Sequence, residues 1–234
     1  MPIYTDGYGG DIYSADDTTI KIWVDGTRNG GGHGNFAPRG PETSDRERSL
    51  LRFNLSAIAA RSTCNSATLY LYHNFDPESA PDPCTGNVYY VSDANGDWVA
   101  GDKNIAAADA GECCWNCKAS DGAGGCNESW AGSAGCKTPG TDYDATAIGS
   151  YSANPKAAKG TETAISLDTT VVEGWFGTTN NGIILIGSNN SEIHWAQSDE
   201  ATTSRRPKLV VDYTEVSSNT VTQYYYEYLL AGVS

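Results

Sequence analysis

Basic charge, methionine, histidine and long apolar runs are all scarce in this chain of 234 residues. Lys plus Arg is 15 against 29 Asp plus Glu, a formal charge of −14, and the pI is near 4.4. A field of that sign repels phosphate, which excludes nucleic-acid binding through a basic patch and disfavours an anionic membrane surface. No stretch approaches the ~20 apolar residues of a membrane helix, so no membrane insertion is expected. One Met and four Phe, against 14 Tyr and six Trp, suit strands and amphipathic surfaces better than a helical core. The three histidines, His33, His73 and His194, form neither a metal spacing nor a nucleophile–base motif. No pair of acids stands out as the two carboxylates of a glycosidase. The chain is expected not to be an enzyme, with no catalytic residue to name. Charge, at 19% of residues, is too low and the aromatic content too high for a disordered chain.

What is present reads as β-structure. Ile20 to Val24 alternates before a turn at Asp25-Gly26. Ser49 to Leu55, Ala67 to Tyr72, Asn87 to Val91 and Lys208 to Tyr213 are further strand runs, and Ile193 to Ala196 is a shorter one. Gly182 to Gly187 is apolar throughout, the signature of a strand buried on both faces. Thr169 to Phe176 is a short helix or another strand. Twenty-six Gly and nine Pro punctuate these runs. The layout predicts one antiparallel sandwich over residues 1–214 with a long insertion over about 95–155. Gly30-Gly31-Gly32-His33-Gly34 lacks the following Lys-Ser/Thr and helix of a phosphate cradle.

Seven cysteines are many for a reducing compartment: Cys64, Cys84, Cys113, Cys114, Cys117, Cys126 and Cys136, five of them in the insertion. A loop stapled by disulfides in an oxidising place is the expected reading. A zinc site on Cys114, Cys117, Cys126 and Cys136 lacks the second close pair of a zinc ribbon, and a redox pair at Cys114 and Cys117 lacks a βαβ setting. The odd count leaves one thiol free or bonded between chains. Cys64 and Cys84 flank one strand run and are candidates to clip its ends.

Trp98, Trp115 and Trp130 lie in loop sequence. They are the candidate glycan-stacking rings, or else a small core for the insertion; Trp23, Trp175 and Trp195 lie in regular runs and are expected in the core. Asp102, Asp142 and Asp144 are the candidate calcium ligands, a structural ion being the one cofactor entertained. Arg52 and Arg206 read as framework residues. After Tyr213 the character changes. Residues 215–234 form an extension in which Thr222, Tyr224, Tyr226, Tyr228 and Leu230 share one face of an extended strand. Such a strand needs a partner sheet, in its own domain or in a neighbouring subunit of a homo-oligomer or larger assembly.

Several of these stretches, in order, resemble the DNRLRE domain, a carbohydrate-binding module related to the disaggregatase repeat. They are Ser49-Leu50-Leu51-Arg52-Phe53-Asn54-Leu55, Ala67-Thr68-Leu69-Tyr70-Leu71-Tyr72, Trp98-Val99-Ala100-Gly101-Asp102, Cys114-Trp115-Asn116, Trp130, Pro139 to Asp144, and Arg206-Pro207-Lys208-Leu209-Val210-Val211-Asp212-Tyr213. The resemblance covers residues 8–214. Asn54 stands where the family has Asp, and the cysteine-rich loop and terminal extension depart from its pattern. The resemblance implies a jelly-roll-like β-sandwich without catalytic machinery, of the kind found on secreted polysaccharide-active enzymes, surface proteins and phage structural proteins. The first residues, Met1 to Asp6, show neither the basic start nor the apolar stretch of a signal peptide. Together these features lead to the expectation of a structural or adhesive virion protein, such as a tail-fibre, head-fibre or capsid-decoration component, on the virion surface or elsewhere outside the cell. A free carbohydrate-binding module contacting cell-surface glycans, or a filament subunit, is the alternative.

Overall fold

The computed structural model describes residues 3–4, 12–22, 25–40, 47–75, 83–189 and 191–215. The chain is an antiparallel β-sandwich. Its strands are β1 (Ile3–Tyr4), β2 (Ile12–Lys21), β3 (Arg28–Asn29), β4 (Asn35–Phe36), β5 (Glu47–Phe53), β6 (Thr63–Tyr72), β7 (Cys84–Tyr90), β8 (Ala106–Ala107), β9 (Cys117–Ser120) and β10 (Cys126–Ser129). After these come β11 (Gly149–Ala153), β12 (Glu162–Ser166), the short helix α1 (Thr169–Glu173), β13 (Ile183–Gly187), β14 (Trp195–Ala196) and β15 (Lys208–Thr214).

The main path runs β11-β7-β13-β5-β2-β15-β6-β12. The long strand β2 joins the two layers. Its start pairs with β15, at Ile12↔Leu209, and the rest pairs with β5, from Ser14↔Phe53 to Lys21↔Glu47. A register shift between Ser14 and Asp16 marks the corner, where a bulge lets one strand leave one sheet and enter another. The chain then alternates between layers: β5, β7, β11 and β13 lie in one, β6, β12 and β15 in the other.

Period-two alternation decides what each strand buries. Leu51 and Phe53 of β5, Leu69 and Leu71 of β6, Ile183 and Leu185 of β13, and Leu209 and Val211 of β15 enter the core between the layers, beside Trp175 and Trp195. The opposite face of the β5 layer does not meet water. Ile20, Leu50 and Ile184 are fully buried there against Trp98, Trp115, Trp130 and Tyr143. The residues after β7 lie over that face, which is why β13 is apolar on consecutive positions. Burying each such aliphatic side chain contributes roughly 1.5–3 kcal/mol.

The predicted runs at 49–55, 67–72, 87–91, 182–187 and 208–213 coincide with β5, β6, β7, β13 and β15. The insertion is shorter than its expected span: it ends near Ile148, because 149–153 is β11, paired with β7 from Gly149↔Val88 to Ala153↔Cys84. Residues 169–173 resolve to helix, started by Asp168, whose carboxylate accepts from the Thr170 and Val171 amides. Trp23 and Val24, and the extension with Tyr224, Tyr226, Tyr228 and Leu230, lie outside the described residues. No described helix is long and apolar enough to cross a membrane.

Candidate functional site

The insertion over 95–148 is built inward from its polar groups. Asp142 is fully buried. Its Oδ1 accepts from Asn95 Nδ2 at 3.0 Å and the Gly132 amide at 2.8 Å, and its Oδ2 accepts from the Ser133 amide at 3.1 Å and the Thr138 amide at 2.8 Å. One carboxylate thereby fixes three stretches of a loop that has almost no strand pairing of its own. Such charge-assisted bonds are the strong ones. Asn29, also fully buried, donates to the carbonyls of Ala100 and Cys113 and accepts from the Gly31 amide. The glycine run after it serves close approach. A Cβ at Gly31 would lie 2.3 Å from the Gly101 carbonyl oxygen, and one at Gly32 2.3 Å from that of Asp102.

The three loop tryptophans are closed to solvent at 1%, 3% and 3% exposure for Trp98, Trp115 and Trp130. Trp98 Nε1 donates to the Asn181 carbonyl at 2.8 Å, and the Arg52 guanidinium lies 4.5 Å above its ring. Trp130 Nε1 is shared between the carbonyls of Cys114 and Trp115. Arg48 lies 5.6 Å from the Trp115 ring and donates to the carbonyls of Gly135 and Cys136. A ring so enclosed has no free face for a pyranose. The expectation that these three stack on sugars therefore gives way: they are the core of the insertion.

The calcium trio is not assembled either. The carboxylate of Asp142 is filled by the four protein donors above, and Asp144 is exposed on its own. Among the described residues, the acids close enough to share an ion are Asp102, Asp109 and Glu112. Lys103 Nζ already bridges Asp102 and Asp109 at 3.0 and 2.6 Å, and Glu112 caps the amides of both. Of the seven cysteines, Cys117 and Cys126 form a disulfide that closes the β9–β10 hairpin. Cys64 is a buried free thiol on β6, so the expected clip to Cys84, a buried residue of β7 in the opposite layer, is not made. Cys113, Cys114 and Cys136 are buried, and no disulfide joins them in this structure. Burial pushes the Cys64 thiol up to about 11, with the nearby Glu173 and Asp212 carboxylates adding to it.

The histidines stay apart. His33 Nδ1 meets Asn104 Oδ1, His73 Nδ1 meets the Ala157 carbonyl, and His194 Nε2 meets Glu192. Trp175 and Trp195 are core residues as expected. Arg52 is indeed a framework residue, donating to the Gly96 and Trp98 carbonyls and pairing with Asp16 at 3.4 Å.

The best candidate for a binding surface is a polar notch of about 250 Å³ beside that Arg52–Asp16 pair, closed by Asn54, Ser56, Thr178, Thr179 and Asn180. Asn54 turns its Oδ1 to the Ser56 amide and hydroxyl, and Asn180 braces the floor by donating to the Phe53 carbonyl. The sequence singled out Arg52 and Asn54 by pattern but not the notch, because Thr178 to Asn180 arrive from a distant loop. A scan against protein-family models and a search of curated proteins find no match to the chain.

Proposed function

We propose that the protein is a non-enzymatic structural or adhesive component displayed outside the cell, of the tail-fibre, head-fibre or capsid-decoration kind on a virion, built on a carbohydrate-binding-like β-sandwich. The observation that carries this reading is the insertion. About fifty residues that add only the two-residue β8 to the sandwich are held together by a disulfide, three buried tryptophans and one carboxylate that accepts four hydrogen bonds. Such construction suits a domain that keeps its shape in an oxidising exterior. The virion setting rests on the motif resemblance. The tyrosine-rich extension would supply the contact to like or unlike subunits. The test is the oligomeric mass of the full chain against a chain ending at Glu215. Assembly of the first and a folded monomer for the second supports the reading; two monomers remove it.

The alternative, a carbohydrate-binding module that works as a monomer, is favoured by the notch. Asp16, Asn54 and Ser56 offer the planar and hydroxyl groups that orient sugar hydroxyls. A glycan array with the wild type and with Asp16→Ala decides it: binding that falls at least tenfold in the variant supports a notch site, and unchanged or absent binding removes it.

A further inference from the structure

The Cys117–Cys126 disulfide leaves five cysteines, three of them in the insertion. Two of those, Cys113 and Cys136, are fully buried in one cluster with Trp98, Trp115, Trp130 and Tyr143. One backbone hydrogen bond links their two segments. The Gly135 amide donates to the Trp115 carbonyl at 2.5 Å, placing the residue before Cys136 against the residue two beyond Cys113. Both chains are fixed from outside, Cys113 by bonds to Val99 and Asn29 and Cys136 by Arg48. Cys114 faces elsewhere, into a separate cluster with Ala108 and Cys117.

The backbone at Cys136 is a second, independent observation. Its φ is +49°, and among the described residues Ile105 is the only other non-glycine with a positive value. Glycine adopts that conformation without strain, whereas a residue with a Cβ does not. A strained position filled by cysteine points to a need for its sulfur.

We propose that Cys113 and Cys136 form a second disulfide that ties the two ends of the insertion's core together. The inference rests on the oxidising setting of the proposed function. The two thiols lose two protons and two electrons as the S–S bond forms. A disulfide-bearing oxidant accepts both electrons by exchange, becoming a dithiol, through a mixed disulfide on one of the two cysteines. The reaction belongs to folding, before the cluster closes. Once closed, burial pushes the Cys113 thiol well up, with the neighbouring Cys114 and Cys136 sulfurs adding to the effect, which disfavours the thiolate that exchange requires.

The experiment is thiol counting and disulfide mapping on the full chain, folded with a glutathione redox pair and alkylated in denaturant. The expected result is three alkylated residues, Cys64, Cys84 and Cys114, and a linked Cys113–Cys136 peptide beside the Cys117–Cys126 link. In Cys114→Ser the link persists and two residues are alkylated. In native protein, mild reductant opens Cys117–Cys126 first, because Cys126 is exposed, and leaves the second link closed. Alkylation of Cys113 and Cys136 with Cys117–Cys126 intact overturns this proposal alone, as does a Cys114–Cys136 link. Alkylation at all seven cysteines overturns it together with the oxidising exterior on which the proposed function relies. Mapping of the unsubstituted protein decides the matter even if a variant fails to fold.

Discussion

Asp142 gives its two oxygens to four donors in the dark interior of a loop. Substituting Asn keeps the shape but turns an acceptor into an NH₂ group facing amide N–H groups. Each buried donor left unsatisfied costs about 1–3 kcal/mol, so Asp142→Asn is expected to destabilise by roughly 3 kcal/mol or more, read as a lower urea midpoint. Gly135 gives a second residue-scale test. Its φ is +83°, and a Cβ there would lie 2.4 Å from the Trp115 ring, whereas Gly124, at φ +96°, has open space around it. Gly124→Ala is expected to cost about 1 kcal/mol of backbone strain. Gly135→Ala adds a clash with a packed ring and costs about 1–3 kcal/mol more. Equal melting temperatures for the two variants would refute the packing argument. Neither feature was legible in the sequence: Asp142 was singled out as a metal ligand because an acid among turn residues looks the same whether an ion or four amides occupy its oxygens.

At the scale of elements, the β9–β10 hairpin is tied to the start of the insertion by Lys118. Its ammonium lies 2.7 Å from both Asp97 and Glu128. Burial works against that ammonium, but the two carboxylates outweigh it and hold its proton more firmly than in a free lysine. In return Lys118 holds the Asp97 carboxyl below its ordinary value. A carboxyl depressed in the folded state contributes stability above the unfolded value near pH 4 and loses it as pH falls through the folded value. Asp97 is 67% exposed, so solvent screening limits the effect to below about 1 kcal/mol. Lys118→Met is therefore expected to flatten the fall in melting temperature between about pH 5 and pH 2, measured against wild type in the same buffers. An unchanged pH profile would show that the bridge contributes nothing. The sandwich strands divide by legibility. β5, β6, β7, β13 and β15 carry apolar or aromatic residues, alternating or in a continuous run, and are readable, whereas β11 and β12 (Gly-Ser-Tyr-Ser-Ala and Glu-Thr-Ala-Ile-Ser) have little apolar signal. They become strands by pairing with β7 and β6.

The whole molecule carries a formal charge of −14. Self-repulsion of that size destabilises a compact state and is screened over about 10 Å at 0.1 M salt. Raising sodium chloride from about 10 to 150 mM is expected to raise the melting temperature by a few degrees. A flat or falling response would mean that local ion pairs such as Lys103 with Asp102 and Asp109 outweigh the global field.

The sequence by itself determined the class of fold, because strand alternation and turn residues are local properties set by side-chain geometry. It also determined the acidic surface, the core strands and the existence of a long loop that needed support other than strands. Only the tertiary structure decided that the loop tryptophans face inward, that Asp142 is spent on four N–H donors and Asp102 on Lys103, and that Asp16, Asn54 and Thr178 meet in one notch. These depend on contacts between residues far apart in the chain. No periodicity records such contacts, and they exist only once β2 turns its corner and the insertion closes over Leu50 and Ile184.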